Sequence, residues 1–340
     1  MNRLSLWLRT IAISLFAVLV LAAFAIAWAW RERPAVSALG WQVATPTRVP
    51  DGQVTVTWLG ITTLLFDDGE TQILTDGTFS RLSMFDIVTQ RRVYSDLAAI
   101  NLALAEYRID RLAAIIPLHS HFDHAMDLGN VANRTTAVIL GSESAANIAR
   151  GAEVPVKQYQ ILADGESRQF GNFTITLVES THAPIGIGDD SWFPGTIEEP
   201  LPQPASVGDL KGGVSWSVLI SHPQGTALVQ GSAGFIENKL PRDSADVALL
   251  SIAGLSGLGR EYVEQYWRET VARTGASRVY PIHFDDYTRP FGELALLPDI
   301  IDDVVQTGRW IDKLTADEQG SVTIRRLPLG RPVVLFPEPQ

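Results

Sequence analysis

Three of the six histidines of this chain stand within His119-Ser120-His121-Phe122-Asp123-His124, so four groups able to bind a metal fall within six residues. A lone buried imidazole is ordinary core chemistry, but packing does not account for this density. Imidazole nitrogens with a carboxylate suit zinc or a similar borderline divalent ion, and such sites need three or four ligands converging on one point. The preceding run, Leu112 to Leu118, is apolar without alternation and predicts a strand buried on both faces. The cluster therefore begins where a core strand gives way to a loop, which is where sites are usually built.

Other segments carry the same kind of signal. Val54 to Gly60, Leu64 to Phe66 and Ile73 to Gly77 read as opening hairpins, with Asp76 at a strand end. His182 follows the strand-like Phe173 to Val178, and His283 follows Ser277 to Ile282. In these features, over roughly residues 53 to 335, the chain resembles the metallo-β-lactamase-fold hydrolase superfamily, and five of its six histidines fall on that family's ligand positions. The resemblance implies that His119, His121 and His182 hold one metal, and Asp123, His124 and His283 a second. Asp123 would also orient the attacking hydroxide. Asp76 would support the ligands from behind, orienting an imidazole and fixing its tautomer; a plain turn residue before Gly77 is the competing reading. The expected cofactor is Zn2+, as two ions, with iron or manganese as alternatives.

One segment departs from the family pattern. Where an aspartate usually bridges both metals, this chain reads Gln230-Gly231-Ser232-Ala233-Gly234, and Ser232 offers a neutral hydroxyl, a poor ligand beside a carboxylate. The second ion should then be held more weakly, and a one-metal enzyme is the other reading. The sixth histidine, His222, lies in Ser221-His222-Pro223-Gln224-Gly225 between two apolar runs and is expected to be a solvated hairpin residue.

The elements that must position these groups can be read in outline. Ser95 to Tyr107 has helical spacing behind a capping Ser95; Thr135 to Leu140 and then Gly141 to Ile148 read as strand and helix; Glu261 to Thr274 reads as a helix stopped by Gly275, with Tyr262, Val263, Tyr266 and Trp267 as its packing face. Strands and helices in this order suit an α/β chain folded as a four-layer αββα sandwich. Ala183 to Gly213 is rich in glycine and proline, and because it leaves directly from His182 it predicts a lid over the metals, with Trp192 and Phe193 lining the substrate pocket.

Ahead of the domain, Ile11 to Trp30 contains no charged residue and is long enough to span a bilayer, which takes about 20 residues. Trp7, Trp28 and Trp30 bracket it at the two interfaces, while arginines on both sides leave orientation unsettled by charge. Residues 1–33 are expected to form a membrane anchor, a cleaved signal being the competing reading; 34–52, with Pro34, Pro46 and Pro50, a linker or short stalk; and 53–340 the hydrolase domain. A short tail before a first apolar span ordinarily places the rest of the chain outside the cytoplasm, in the periplasm of a Gram-negative cell.

A net charge of −11 argues against nucleic acid as a partner, and the absence of cysteine removes disulfides and thiolate ligands. Together these features predict a membrane-anchored, extracytoplasmic metal-dependent hydrolase of an ester, phosphoester or lactone in a small-molecule or lipid-like substrate. An iron-dependent oxidoreductase on the same scaffold and a non-catalytic membrane-tethered metal-binding protein are the alternatives, separated by metal content. A β-lactamase is not specifically implied, because a fold does not fix a substrate.

Overall fold

Runs such as Leu64-Leu65-Phe66 and Ile73-Leu74, apolar at consecutive positions, are stable as strands only if both faces are covered, and that requirement sets the architecture. The computed structural model describes residues 3–47, 52–186, 191–317 and 322–336. Two seven-stranded sheets lie face to face. The first contains β1 (Thr55–Trp58), β2 (Leu64–Asp67), β3 (Gln72–Thr75), β4 (Leu112–Ile116), β5 (Val138–Gly141) and β6 (Tyr159–Ile161). The second contains β7 (Ser167–Phe170), β8 (Phe173–Ser180), β9 (Ser215–His222), β10 (Gly225–Gln230), β11 (Val247–Ser251), β12 (Arg278–Ile282) and β13 (Thr323–Ile324), after which β14 (Val333–Val334) returns to the first sheet beside β1.

The helices are α1 (Arg3–Arg31), α2 (Met84–Thr89), α3 (Leu97–Glu106), α4 (Phe122–Ala125), α5 (Leu128–Ala132), α6 (Glu143–Gly151), α7 (Leu255–Leu258), α8 (Arg260–Trp267) and α9 (Val304–Asp317). Side chains of alternate parity separate the layers. Val56, Phe66, Ile73 and Ile116 pack between the sheets with Ile175, Val218 and Leu249, whereas Leu65, Leu74 and Ile115 point the other way onto Ile100, Val131 and Ile148 of α3, α5 and α6. Val263, Tyr266 and Trp267 of α8 and Val304 and Ile311 of α9 cover the second sheet. The layers run helix, sheet, sheet, helix, and the αββα sandwich expected from the sequence is the observed fold.

Strand direction brings the chemistry to one edge. β3, β4 and β5 are parallel, as are β10, β11 and β12, and two antiparallel steps through β9 make β8 run with β10. The residues just past the ends of β3, β4, β8, β10 and β12 are therefore neighbours in space although they are far apart in sequence.

Several local readings are corrected. Asp96, not Ser95, caps α3: its carboxylate accepts from Ala98 N at 2.9 Å and Ala99 N at 3.0 Å, while Ser95 Oγ donates to Met126 O at 3.2 Å. The helix expected over Glu261 to Thr274, by contrast, is observed: α8 from Arg260 continues through a π-helical turn over Arg268–Ala272, and Gly275 turns away at φ 76°. His222 does sit at a hairpin, but its side chain is buried against Phe173, ring centroids 5.1 Å apart, with Nε2 3.6 Å from Asp68 Oδ2. The described part of the expected stalk is packed rather than free. Leu39, Trp41 and Ala44 are buried, Trp41 Nε1 donates to Asp312 Oδ1 on α9 at 2.7 Å and Ala44 N to Arg326 O at 2.8 Å; Pro50 lies outside the described residues. The apolar character of these residues outweighs the lack of a periodic pattern around them.

α1 carries a 25-residue stretch, Trp7–Arg31, whose most apolar 18-residue window has a mean hydropathy of 2.7; it is long and apolar enough to cross a membrane, and none of that window is buried.

Candidate metal centre

Each candidate ligand is fixed by the backbone just beyond a strand. After β4, Pro117 and Leu118 lead to His119, and His121 sits in extended conformation (φ −64°, ψ 161°) just before the short helix α4 that carries Asp123 and His124. His119, His121 and His124 are buried. His182 comes two residues after β8, and His283 directly after β12 in a left-handed conformation (φ 57°) secured by its N–H to Ile61 O at 3.0 Å.

The structure brings all six together. His119 Nε2 and His121 Nδ1 are 3.0 Å apart, and the His182 ring lies 4.8 Å, centroid to centroid, from both. Asp123 Oδ2 is 3.4 Å from His283 Nε2 and 3.6 Å from His124 Nε2. Ligand atoms of His119, His121 and His182 all fall within 4.8 Å of one another, as do those of His119, Asp123 and His124, so His119 stands between the two groups. Atoms bound at ~2.0–2.1 Å to a tetrahedral ion are ~3.3–3.4 Å apart, close to the 3.0, 3.4 and 3.6 Å separations of the nearest pairs.

Hydrogen bonds to the far side of three rings set which nitrogen faces the centre. His124 Nδ1 stands 2.9 Å from both Asp76 Oδ2 and Thr62 Oγ1, so its proton is directed to the carboxylate and its Nε2 lone pair to Asp123. His182 Nδ1 donates to Ala183 O at 2.7 Å, leaving Nε2 free. His121 reaches Phe193 O through Nε2 at 3.4 Å, leaving Nδ1 toward His119. His119 Nδ1 and His283 Nδ1 are buried without a hydrogen-bond partner. The inward nitrogens, His119 Nε2, His121 Nδ1, His124 Nε2 and His283 Nε2, together with Asp123 Oδ2, are a donor set that a divalent cation fits.

The electrostatics agree. Burial, then the neighbouring imidazoles, holds His119 well below the ordinary histidine range, burial lowers His121, and burial with His121 brings His182 down to about 4. Those rings are neutral near pH 7, the form that binds metals. Burial would push Asp123 up, but His124, His283 and His121 more than offset it and keep the carboxylate ionised. His124 goes the other way: burial lowers it, and Asp76 and Asp123 raise it further.

Asp76 lies behind this set. Fully buried in a left-handed turn (φ 54°), it accepts from Leu118 N at 2.7 Å through Oδ1 and from the Thr62 hydroxyl and His124 through Oδ2. Ser232 is elsewhere engaged: its Oγ accepts from Ala183 N at 2.8 Å, so it braces the backbone beside His182. The glycine-rich loop covers the centre over the residues described, 187–190 with Gly188 lying outside them. Ser120 N donates to Gly212 O at 2.9 Å, a side chain at Gly212 would put Cβ 3.1 Å from His121 Nε2, and the Phe193 ring lies 6.5 Å from His121. Trp192, half exposed, borders Phe193.

Sequence reasoning missed Thr62, and also Asp285, whose carboxylate takes Ile61 N at 3.0 Å and so ties the loop after β1 to the loop after β12. It missed Tyr287, whose hydroxyl burial, with Asp123 nearby, raises strongly so that it stays protonated. The pair Asp285-Asp286 so soon after His283 was the available signal for the loop; a threonine after Gly60-Ile61 gave none.

No protein-family model matches the chain, and no curated protein is significantly similar to it. Solved structures similar to it include the metallo-β-lactamase-fold protein YhfI from Bacillus subtilis, at 14% identity over 82% of this chain and 98% of that one, TM-score 0.45. Others are an isothiocyanate hydrolase from Delia radicum gut bacteria (12% identity, 83% of this chain and 100% of that one, TM-score 0.49) and unliganded yeast PDE1 (10%, 83% and 99%, TM-score 0.49). On its own sheet order, flanking helices and strand-end residues, the chain has the architecture that its resemblance to the metallo-β-lactamase-fold hydrolases implied.

Proposed function

We propose that this chain is a membrane-anchored, zinc-dependent hydrolase of an ester, phosphoester or lactone, with its catalytic domain outside the cytoplasm. The observation that carries this reading is the tautomer pattern: hydrogen bonds on the outer nitrogens turn the free lone pairs of His121 and His182 toward the His119 group and that of His124 toward Asp123. His119, His121 and His182 would hold one ion and Asp123, His124 and His283 the second. Bound there, zinc supplies a Lewis acid for a carbonyl or phosphoryl oxygen and brings the pKa of water from ~15.7 to ~7 in the best cases.

The residues of the chain supply the rest. Asp123, ionised and 3.4–3.6 Å from two imidazoles, can accept a hydrogen bond from the attacking water and fix its lone pair toward the substrate. Asp76 prevents the His124 ring from turning. Phe193 and Gly212 close the His121 side against bulk water. With only one carboxylate among six ligands, the loaded centre is positively charged, which favours substrates that develop negative charge.

Ser232 contributes no carboxylate, so the second ion is the weaker. The anchor reading rests on the uncharged span Ile11 to Trp30 of α1, and the protein should fractionate with membranes and resist extraction by high salt; a soluble chain beginning near residue 26 or 30 would show a cleaved signal instead. Elemental analysis of the purified protein with a panel of chromogenic phosphodiester, ester and lactone substrates tests the whole. Zinc with turnover supports hydrolysis, iron without it favours the oxidoreductase, and a metal-free inert protein favours a binding role.

A further inference from the structure

The join between α1 and the domain is tighter than anchoring requires. Trp30, near the end of α1, is half-buried, and two residues past the helix Arg33 Nη1 lies 3.1 Å from Asp286 Oδ2. The Asp286 side chain is fully buried, and the same carboxylate accepts from Thr288 N at 3.0 Å and Thr288 Oγ1 at 2.6 Å, so the aspartate is fixed before the arginine reaches it. Asp286 is three residues beyond His283 in a loop already clamped by Asp285 to Ile61. Beyond Arg33 the chain stays on the domain through Leu39 and Trp41, the latter bonded to α9.

These contacts fix a height. A free stalk of about 20 residues would wander with an r.m.s. span of ~25 Å. Here the route from Arg31 to His283 is two residues, one ion pair and three residues, and at ~3.3–3.6 Å per residue those two pieces of chain reach at most ~7 and ~11 Å. The headgroup layer on each side of a bilayer is itself ~5–8 Å deep, from ~40–45 Å overall around a ~30 Å hydrocarbon core. A loop that carries a ligand of the centre is thus stapled to the chain where it leaves the membrane.

We infer that the Arg33–Asp286 pair holds the metal centre at the membrane surface, and that the substrate is an amphiphile in the adjoining leaflet whose polar head carries the scissile ester or phosphoester. The inference rests on the hydrolase reading above and adds to it where the substrate resides. A rigid short tether raises the rate only on substrates that share the surface, since their effective concentration near the site depends on reach. Substrates free in water gain nothing from it.

The test uses the full chain in phosphatidylcholine vesicles, with p-nitrophenyl phosphodiesters and esters bearing either an ethyl or a hexadecyl group. The comparison protein carries Arg33→Gln and a 20-residue Gly/Ser insertion after Glu32. Wild type should prefer the hexadecyl member at least tenfold in kcat/KM, and the altered chain should lose most of that preference while its rate on the ethyl member is unchanged. A second readout needs no turnover: the chain has no cysteine, so Pro290→Cys, at an exposed position farther along the same loop, gives a single fluorophore site. Nitroxide on the lipid headgroups should quench it in the wild-type background and not after the insertion. Equal rates on both chain lengths, or quenching that survives the insertion, overturns the inference and leaves the hydrolase intact. Turnover of neither member by a metal-loaded protein overturns the hydrolase reading, and the inference with it.

Discussion

Asp76→Asn isolates what the buried carboxylate does for the centre. Asparagine is nearly isosteric and tolerates the left-handed backbone at φ 54°, so the turn itself is spared. The Leu118 N–H, bonded at 2.7 Å, can keep an acceptor in the amide oxygen. What is lost is the charged acceptor at His124 Nδ1, 2.9 Å away, which directs the His124 proton outward and its Nε2 lone pair toward Asp123. With an amide there the opposite tautomer becomes competitive, and a ring so turned presents N–H to the metal. Loss of such a supporting partner typically costs ~10–100-fold in metal affinity, or ~1.4–2.7 kcal/mol. Removing a buried hydrogen bond to a charged group should also cost the apo-protein ~1.5–3 kcal/mol of stability. Calorimetric titration of apo-protein with zinc, beside chemical denaturation without metal, reads both. The loss should fall on the Asp123, His124 and His283 ion and spare the three-histidine ion. Wild-type affinity at both sites in Asp76→Asn, with the apo-protein destabilised, would show that Asp76 is only a structural support for Leu118 and the turn.

His121→Ala and Asp123→Asn should each lower hydrolysis by more than the ~10–100-fold that a supporting partner is worth, with circular dichroism unchanged; full activity in a metal-depleted His121→Ala protein would remove His121 from the centre. Titration of apo-protein with zinc should show one tight and one weaker equivalent, and Ser232→Asp should strengthen the weaker; no change would confine Ser232 to its bond with Ala183 N, whose loss in Ser232→Ala should cost ~1–3 kcal/mol. Apo-protein stability should fall as pH drops from ~6.5 toward ~4, because His182, at about 4, and the lowered His119 and His121 bind fewer protons folded than unfolded across that window. His124, raised, acts above ~6.5, where its stabilising contribution is lost as pH rises, so equal stability at pH 7.5 and 4.5 by urea denaturation would mean that the three depressed histidines do not dominate.

Much of this protein can be read from side-chain type and local period. Two-sided apolar runs require strands covered on both faces, and His119 to His124 at the end of such a run marks the centre, because ligand chemistry belongs to the residue itself. The uncharged span of α1 is equally local, since a bilayer asks only for length and hydropathy. What the ligands do with their protons is not local. Thr62, Asp76 and His124 meet through β2, β3 and β4, so the His124 tautomer depends on strand pairing that no window of sequence contains. Ser232 matches a bridging position by alignment, yet the path of the chain after β8 gives its hydroxyl to Ala183. His222 reads as a solvated turn until Asp68 and Phe173 close over it. The segment after Pro34 reads as a stalk until α9 offers Asp312 to Trp41, and just ahead of it the loop after His283 offers Asp286 to Arg33. In each case the deciding partner comes from a distant element, and only the packing of the sheets determines whether a polar group faces water, a backbone amide or a metal.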